Sequence, residues 1–180
     1  MQNIAGYQPG TYVIDPVHSS IEFSIRHMMV AKVKGQFVDF EGEIVLADDQ
    51  ADSSVSATID PSSIDTRNAD RDAHLRSGDF FATDEFPKWT FVSTGVRAEG
   101  DDYVVTGDMQ IRGITKSIEM KLEFGGIGAD VAGAVRAGAT ATTVIKRSDF
   151  DITFNTTLET GGVMLGEDVT ITIDISAVKQ

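Results

Sequence analysis

Three side chains with nitrogen-containing polar groups lie within residues 66–78. The capping residues of this segment predict a short helix. Arg67, Arg71 and His74 follow one another at intervals of four and three residues, so in a helix they share one face. Guanidinium and imidazole groups suit phosphate and carboxylate oxygens, which predicts a site for the anionic or polar head of a ligand. The alternative is a solvated ion-pair network with neighbouring carboxylates, namely Asp65, Asp70, Asp72 and Asp79.

The other residue types that could support catalysis are not arranged in a recognisable motif. His18, His27 and His74 are far apart in sequence and lack metal-ligand spacing. The chain has no cysteine, no Gly-x-Ser-x-Gly segment and no phosphate-binding glycine loop. We therefore predict a binding protein that needs no metal and no cofactor. An enzyme acting on a small amphiphile, with His74 as general base, is the alternative.

The composition limits the classes of partner. The chain has 180 residues, 41% of them hydrophobic, with 15 Lys and Arg against 28 Asp and Glu, giving a net charge of −13. This length suits a single domain, and we expect residues 1–10 to form an extension and residues 11–180 the domain. The acidic balance argues against nucleic acid and against an anionic membrane as partners.

The amino terminus bears on location. Residues 1–10 contain no Lys, no Arg and no apolar run, and no stretch of the chain is long and apolar enough for a membrane-spanning helix. We expect a cytoplasmic protein without membrane insertion. The location would be periplasmic or secreted if a signal sequence had been removed.

Alternation of apolar and polar residues is the dominant pattern. It runs through residues 21–25, 40–46, 55–59, 89–93, 103–111, 118–124 and 169–175, and a period of two predicts strands with one buried face. Arg112-Gly113 suits a tight hairpin, residues 125–128 predict a looser connection, and residues 160–162 a turn. About eight or nine strands at this spacing indicate a β-barrel or a β-sandwich.

Residues 131–143 favour the barrel. This segment contains almost nothing larger than valine except Arg136, and a wall of Ala and Gly, including Ala139, leaves interior volume for a ligand. The alternative is that bulky side chains from the facing wall fill this space. The predicted apolar wall consists of Ile21, Phe23, Phe40, Trp89, Phe91, Met109, Met120, Phe124 and Ala139.

Four segments resemble the YceI-like polyisoprenoid-binding family: residues 18–44, 64–91, 107–116 and 146–152. The most specific pattern is Arg71-Asp72-x-His74-Leu75, followed by Phe80-Phe81 and Pro87. Asp151 stands where the family pattern leads us to expect glycine.

The resemblance implies an all-β, lipocalin-like extended antiparallel barrel of about eight strands with one or more short helices beside it. It further implies a bacterial homodimer that binds, transports or stores a long-chain polyisoprenoid, such as a polyprenyl phosphate or an isoprenoid quinone. In that interpretation Arg67, Arg71 and His74 are candidates for the head-group end, and the predicted apolar wall surrounds the tail.

Overall fold

The computed structural model describes residue 4, residues 6–159 and residues 162–180. Eleven strands and one α-helix account for most of this part of the chain. The helix is α1 (Ala69–Arg76). The strands are β1 (Gly10–Ile14), β2 (Ser20–His27), β3 (Ala31–Phe37), β4 (Phe40–Leu46), β5 (Ser54–Ile59), β6 (Ile64–Asp65), β7 (Trp89–Glu99), β8 (Asp102–Ile111), β9 (Ile114–Ala129), β10 (Val135–Lys146) and β11 (Leu165–Lys179).

Eight of the strands close into an antiparallel barrel. The order is β1-β4-β5-β7-β8-β9-β10-β11, and β1 pairs with β11 to close the ring. One edge of β11 pairs with β10, and the other edge pairs with two strands: its last residues pair with β1, and its earlier part pairs with β2. β2 continues the sheet to β3 and β6, so the barrel widens at the end where β11 begins.

The architecture confirms the prediction of an all-β, lipocalin-like barrel with a helix beside it. Arg112-Gly113 forms the predicted two-residue hairpin between β8 and β9. Both residues have positive φ, at 51° and 73°, which is the turn geometry that matches strand twist. In the described residues no helix is long and apolar enough to cross a membrane.

Two strand boundaries differ from the prediction. Residues 125–128 are not a connection, because β9 runs through them and pairs there with β10. The break falls instead at residues 130–134, so the small-residue strand begins at Val135 and not at residue 131. Backbone pairing decides this, since glycines lack side chains but keep the amide and carbonyl groups that a ladder needs. Of the turn predicted at residues 160–162, residues 160 and 161 lie outside the described residues.

The helix is shorter than predicted, and this breaks up the proposed cationic face. Asn68 is the N-cap, and its side chain accepts a hydrogen bond from the Arg71 backbone N–H at 2.9 Å. Arg67 therefore precedes the helix, with φ of 61° and its own N–H bonded to Asp65. The prediction that Arg67, Arg71 and His74 share one helical face is wrong, because Asn68 is the cap and the helix begins at Ala69, two residues after Arg67.

Candidate functional site

A cavity of about 310 Å³ occupies the wide part of the barrel. It follows the inner face of β2 along Ile21, Phe23, Ile25 and His27. Its surface is almost entirely apolar, and such a volume lies in the range typical of small-molecule sites. We call it the main cavity; polar or charged residues at its wall are Ser19, Glu22, His27, Arg71, His74, Thr143, Arg147 and Asp174.

Trp89 is the only tryptophan and lies in the wall of the main cavity. It is 5% exposed, and its ring is edge-on to Phe37 and Phe81 at centroid distances of 5.1 and 4.8 Å. Its Nε1 is buried without a hydrogen-bond acceptor in the described residues. The two phenyl rings surround the indole, so aromatic contacts fix this part of the wall.

Glycines on neighbouring strands make room for two other aromatic rings of the wall. A Cβ added at Gly35 would lie 2.7 Å from the ring of Phe23. A Cβ at Gly107 would lie 2.3 Å from the ring of Phe91. These contacts are too short for any other residue type, so both glycines are required for the rings to lie against the sheet and leave the interior open.

The nine predicted wall residues divide between two cavities. Seven of them line the main cavity, whereas Phe124 and Ala139 line a second cavity of about 100 Å³ at the narrow end. The small residues of β10 divide likewise, with Ala141 in the main cavity and Ala139 in the second. The cavities adjoin, because both are lined by Val55, Val105, Leu122 and Ile175.

Arg71 lines the main cavity and is exposed to solvent, so the cavity opens beside α1. Its Nε and Nη2 donate to the hydroxyl and the carbonyl of Thr66, each at 2.7 Å. Thr66 is itself buried. Its backbone N–H, at 2.9 Å, and its hydroxyl both donate to the carboxylate of Asp72. This network fixes the orientation of a cationic side chain at the opening.

His74 is the second exposed residue at this opening. Its Nε2 lies 2.8 Å from Oδ2 of Asp79, and its ring lies edge-on to Phe80 and Phe154, both at 5.0 Å. His74 thus contacts Asp79, one of the carboxylates named in the alternative, and it also lines the cavity. Arg67 is exposed and is not among the described residues that line either cavity.

Arg147 is a cavity residue that sequence analysis did not identify as part of the site. It is 6% exposed, and its guanidinium donates to the carbonyls of Gly166, Ile152 and Phe154 at 2.8–2.9 Å. These bonds fasten the segment after β10 to the start of β11, which places Phe154 against His74. Arg147 lies in segment 146–152, one of the four segments that resemble the family, but no pattern in that segment indicated that the arginine would be buried.

Asp151, which replaces an expected glycine, has a left-handed backbone with φ of 57°. Aspartate tolerates this conformation better than most residues, and Arg112 binds its carbonyl at 2.8 Å.

The described residues contain no group of three or more His, Asp or Glu arranged to hold a metal ion. The site therefore offers an apolar interior with the exposed side chains of Arg71 and His74 at its opening.

Comparison with known proteins gives the same architecture. A UPF0312 protein of Staphylococcus aureus strain MSSA476 is 47% identical over 163 residues, covering 88% of this chain and 91% of the relative. The crystal structure of the Campylobacter jejuni YCEI protein has a TM-score of 0.74 and 29% identity, covering 87% of this chain and 90% of that one. A polyisoprenoid binding domain from Saccharophagus degradans, implicated in plant cell wall breakdown, has a TM-score of 0.71 and 16% identity, covering 96% of this chain and 100% of that one.

The family profile described as "YceI-like domain" matches residues 12–177. This span begins within β1, ends within β11 and contains α1 and every strand between them. The chain belongs to the YceI-like family.

Proposed function

We propose that the chain binds a long-chain polyisoprenoid or a similar amphiphile, with the tail in the main cavity and the polar end beside Arg71 and His74. The observation that carries this proposal is an apolar cavity of about 310 Å³ whose wall includes the exposed side chains of Arg71 and His74. Apolar burial contributes about 25 cal/mol per Å², so a prenyl tail supplies affinity without specific contacts. The structural neighbour described as a polyisoprenoid binding domain supports the same class of ligand.

A polyprenyl phosphate and an isoprenoid quinone both suit this site, and transport and storage both remain predictions. Homodimer formation and a cytoplasmic location also stay predictions, as does the expectation that no cofactor is required. Native mass spectrometry of freshly purified protein, followed by organic extraction, identifies a copurified lipid and gives the number of chains. A bound prenyl species is expected; an unrelated lipid on every molecule would contradict the proposal.

Trp89 provides a direct binding assay, because it is the only tryptophan and lies in the cavity wall. We expect a saturable change in its fluorescence on titration with a prenyl alcohol or a prenylated quinone. Matched measurements use isoprene compounds of increasing length at constant head group, since affinity should rise with buried apolar area. A fluorescence response that did not saturate, or that was identical for a short soluble alcohol, would contradict cavity binding.

The polar end is tested by substitution at the opening. Arg71→Gln should weaken binding of a prenyl phosphate by about fivefold, the effect of about 1 kcal/mol at an exposed charge. His74→Gln should also weaken it, because the imidazole is lost from the cavity opening. Binding of the corresponding uncharged alcohol should be unchanged. Arg67→Gln is the matched control, because Arg67 is exposed and lines neither cavity. Chemical turnover of the lipid, lost in His74→Gln, would instead favour an enzyme with His74 as general base.

A further inference from the structure

The turn between β2 and β3 exposes three consecutive apolar side chains. Met28, Met29 and Val30 are 48%, 59% and 86% exposed, and Val163 of the neighbouring segment is 42% exposed. The segments are joined, because the Met28 N–H donates to the carbonyl of Met164 at 2.7 Å. Contiguous exposed apolar side chains of this kind are typical of an interaction surface. We call Met28, Met29 and Val30 the hairpin tip.

The backbone of the tip is unusual for these residue types. Met28 and Met29 have φ of 51° and 61°, and two consecutive left-handed residues are the geometry that Asn-Gly adopts most readily. Methionines here place two long apolar side chains in solvent at a position where turn formation favours other residues. Observed strain of this sort points to a role outside folding.

The outer face of the same hairpin is basic. Arg26 pairs with Lys32 across the strands, and Lys34 lies on the same face one pair further along. All three are exposed, and none forms an ion pair with any of the described residues. Between residues 23 and 38 the sequence contains no Asp and no Glu. A chain of net charge −13 therefore has a locally basic hairpin, which its overall composition does not indicate.

The tip also adjoins the main cavity. The inner face of β2 lines that cavity as far as His27, the residue before the tip, and Met164 and Leu165 line it from the neighbouring segment. The apolar surface is therefore continuous from the cavity wall towards the exposed methionines. The hairpin has an apolar tip followed by basic flanks. An anionic bilayer has the matching arrangement, an apolar interior of acyl chains followed by negatively charged head groups.

We propose that this hairpin is a peripheral membrane-contact site, with the tip inserting among the head groups of an anionic bilayer and Arg26, Lys32 and Lys34 binding the lipid phosphates. The contact requires no spanning segment. It places the widened end of the barrel against the bilayer, where an amphiphile can pass between membrane and cavity. This inference goes beyond ligand binding, and membrane contact does not depend on an occupied cavity.

The test is cosedimentation of the full chain with vesicles of phosphatidylcholine alone and of phosphatidylcholine mixed with phosphatidylglycerol. We expect binding to the anionic vesicles only, weakened by salt because the charges are exposed. Arg26→Gln, Lys32→Gln and Lys34→Gln should each reduce affinity by about fivefold, from about 1 kcal/mol per basic residue near such a surface. Equal binding of wild type and all three variants would overturn the proposal.

A second variant tests the tip without weakening the fold. Met28→Asn with Met29→Gly and Val30→Ser gives the turn its preferred residues, so thermal stability should be unchanged or higher while vesicle binding falls by at least about tenfold. Val17→Ser with Val131→Ser is the matched control. These valines are 82% and 110% exposed but lie near the Asp15–Arg136 contact, at the other end of β2.

Three further results would overturn the membrane assignment. The control variant could lose as much vesicle binding as the tip variant, or the tip variant could bind as well as wild type. A protein that bound no vesicles and instead changed from dimer to monomer on tip substitution would assign the tip to self-association. The Trp89 fluorescence titration is run on every variant. It shows whether a variant that no longer binds vesicles still binds a ligand in the main cavity. The tip variant should bind a soluble short-chain prenyl alcohol like wild type.

Discussion

Nη1 of Arg136 lies 2.7 Å from Oδ2 of Asp15, although 121 residues separate them along the chain. Nε of the same guanidinium donates to Oδ2 of Asp130 at 2.9 Å. One cation thus joins the end of β1 to the turn between β9 and β10, at the end of the barrel where β11 pairs with β1. The opposite end, beside α1 and the β2–β3 hairpin, stays open to the main cavity.

The Arg136 cluster predicts a loss of stability in acid. The Arg136 guanidinium, with a smaller contribution from His18, holds the pKa of Asp15 well below its usual range. Arg136, followed by the Ala134 backbone N–H, also lowers the pKa of Asp130. A carboxyl whose pKa is lower in the folded state stabilises above its ordinary pKa, and this stabilisation is lost as the pH falls towards the folded pKa.

Arg136→Gln should lower the melting temperature at neutral pH and flatten its decline below about pH 4. The two proteins should converge in acid, because protonated carboxyls no longer interact with the cation. Arg97→Gln is the control: Arg97 pairs with Glu99 and Glu119, but its side chain is 50% exposed against 28% for Arg136. Parallel melting curves for wild type and Arg136→Gln at every pH would contradict this prediction.

The buried Thr66–Asp72 pair should stabilise the segment that holds Arg71. Asp72→Ala removes the acceptor of two hydrogen bonds from Thr66 and leaves a buried N–H and hydroxyl without that partner. Hydrogen bonds to charged groups contribute about 1.5–3 kcal/mol, so the free energy of unfolding in urea should fall by about 2–3 kcal/mol. Asp70→Ala, on the exposed first turn of the same helix, should cost about 0.5 kcal/mol. Equal losses would show that helix charge, and not the buried pair, matters.

Substitution of two alanines of β10 tests how far a bound tail extends into the barrel. Ala141→Phe projects a ring into the main cavity and should weaken binding of prenyl chains of every length. Ala139→Phe fills the second cavity, so it should weaken only chains long enough to pass Val105 and Leu122, which line both cavities. Trp89 fluorescence titrations with a series of chain lengths measure both effects. Equal effects of Ala139→Phe on short and long chains would contradict a tail that extends into the second cavity.

Much of the barrel could be predicted from local pattern, because a strand with one buried face alternates its side chains with a period of two. Ile21, Phe23 and Phe91 face the interior as their alternation indicates. The two-residue strand β6 has no such pattern, since it is fixed by pairing with β3. The extent of β9 through residues 125–128 was likewise missed, because glycines carry no periodic signal and only the ladder with β10 reveals their role.

The site could be predicted only in part. Arg71 and His74 lie at the opening of the main cavity, but Arg67 does not, because one capping side chain decides where α1 begins. The buried Arg147 was missed, since its partners are backbone carbonyls that no sequence pattern indicates. Ala139 and Phe124 face the interior but lie in the second cavity, and depth along a barrel axis depends on strand register.

The sequence by itself determined the all-β class, the alternating faces of most strands, the tight Arg112-Gly113 hairpin and the family resemblance, because each is a property of neighbouring residues. Only the tertiary structure decided that β11 pairs with both β1 and β2, so that one end of the barrel closes while the other widens. It also decided that Arg71 and His74 meet at the opening and that Met28 and Met29 protrude beside it. These relationships join residues distant in the chain, and packing and strand pairing fix them.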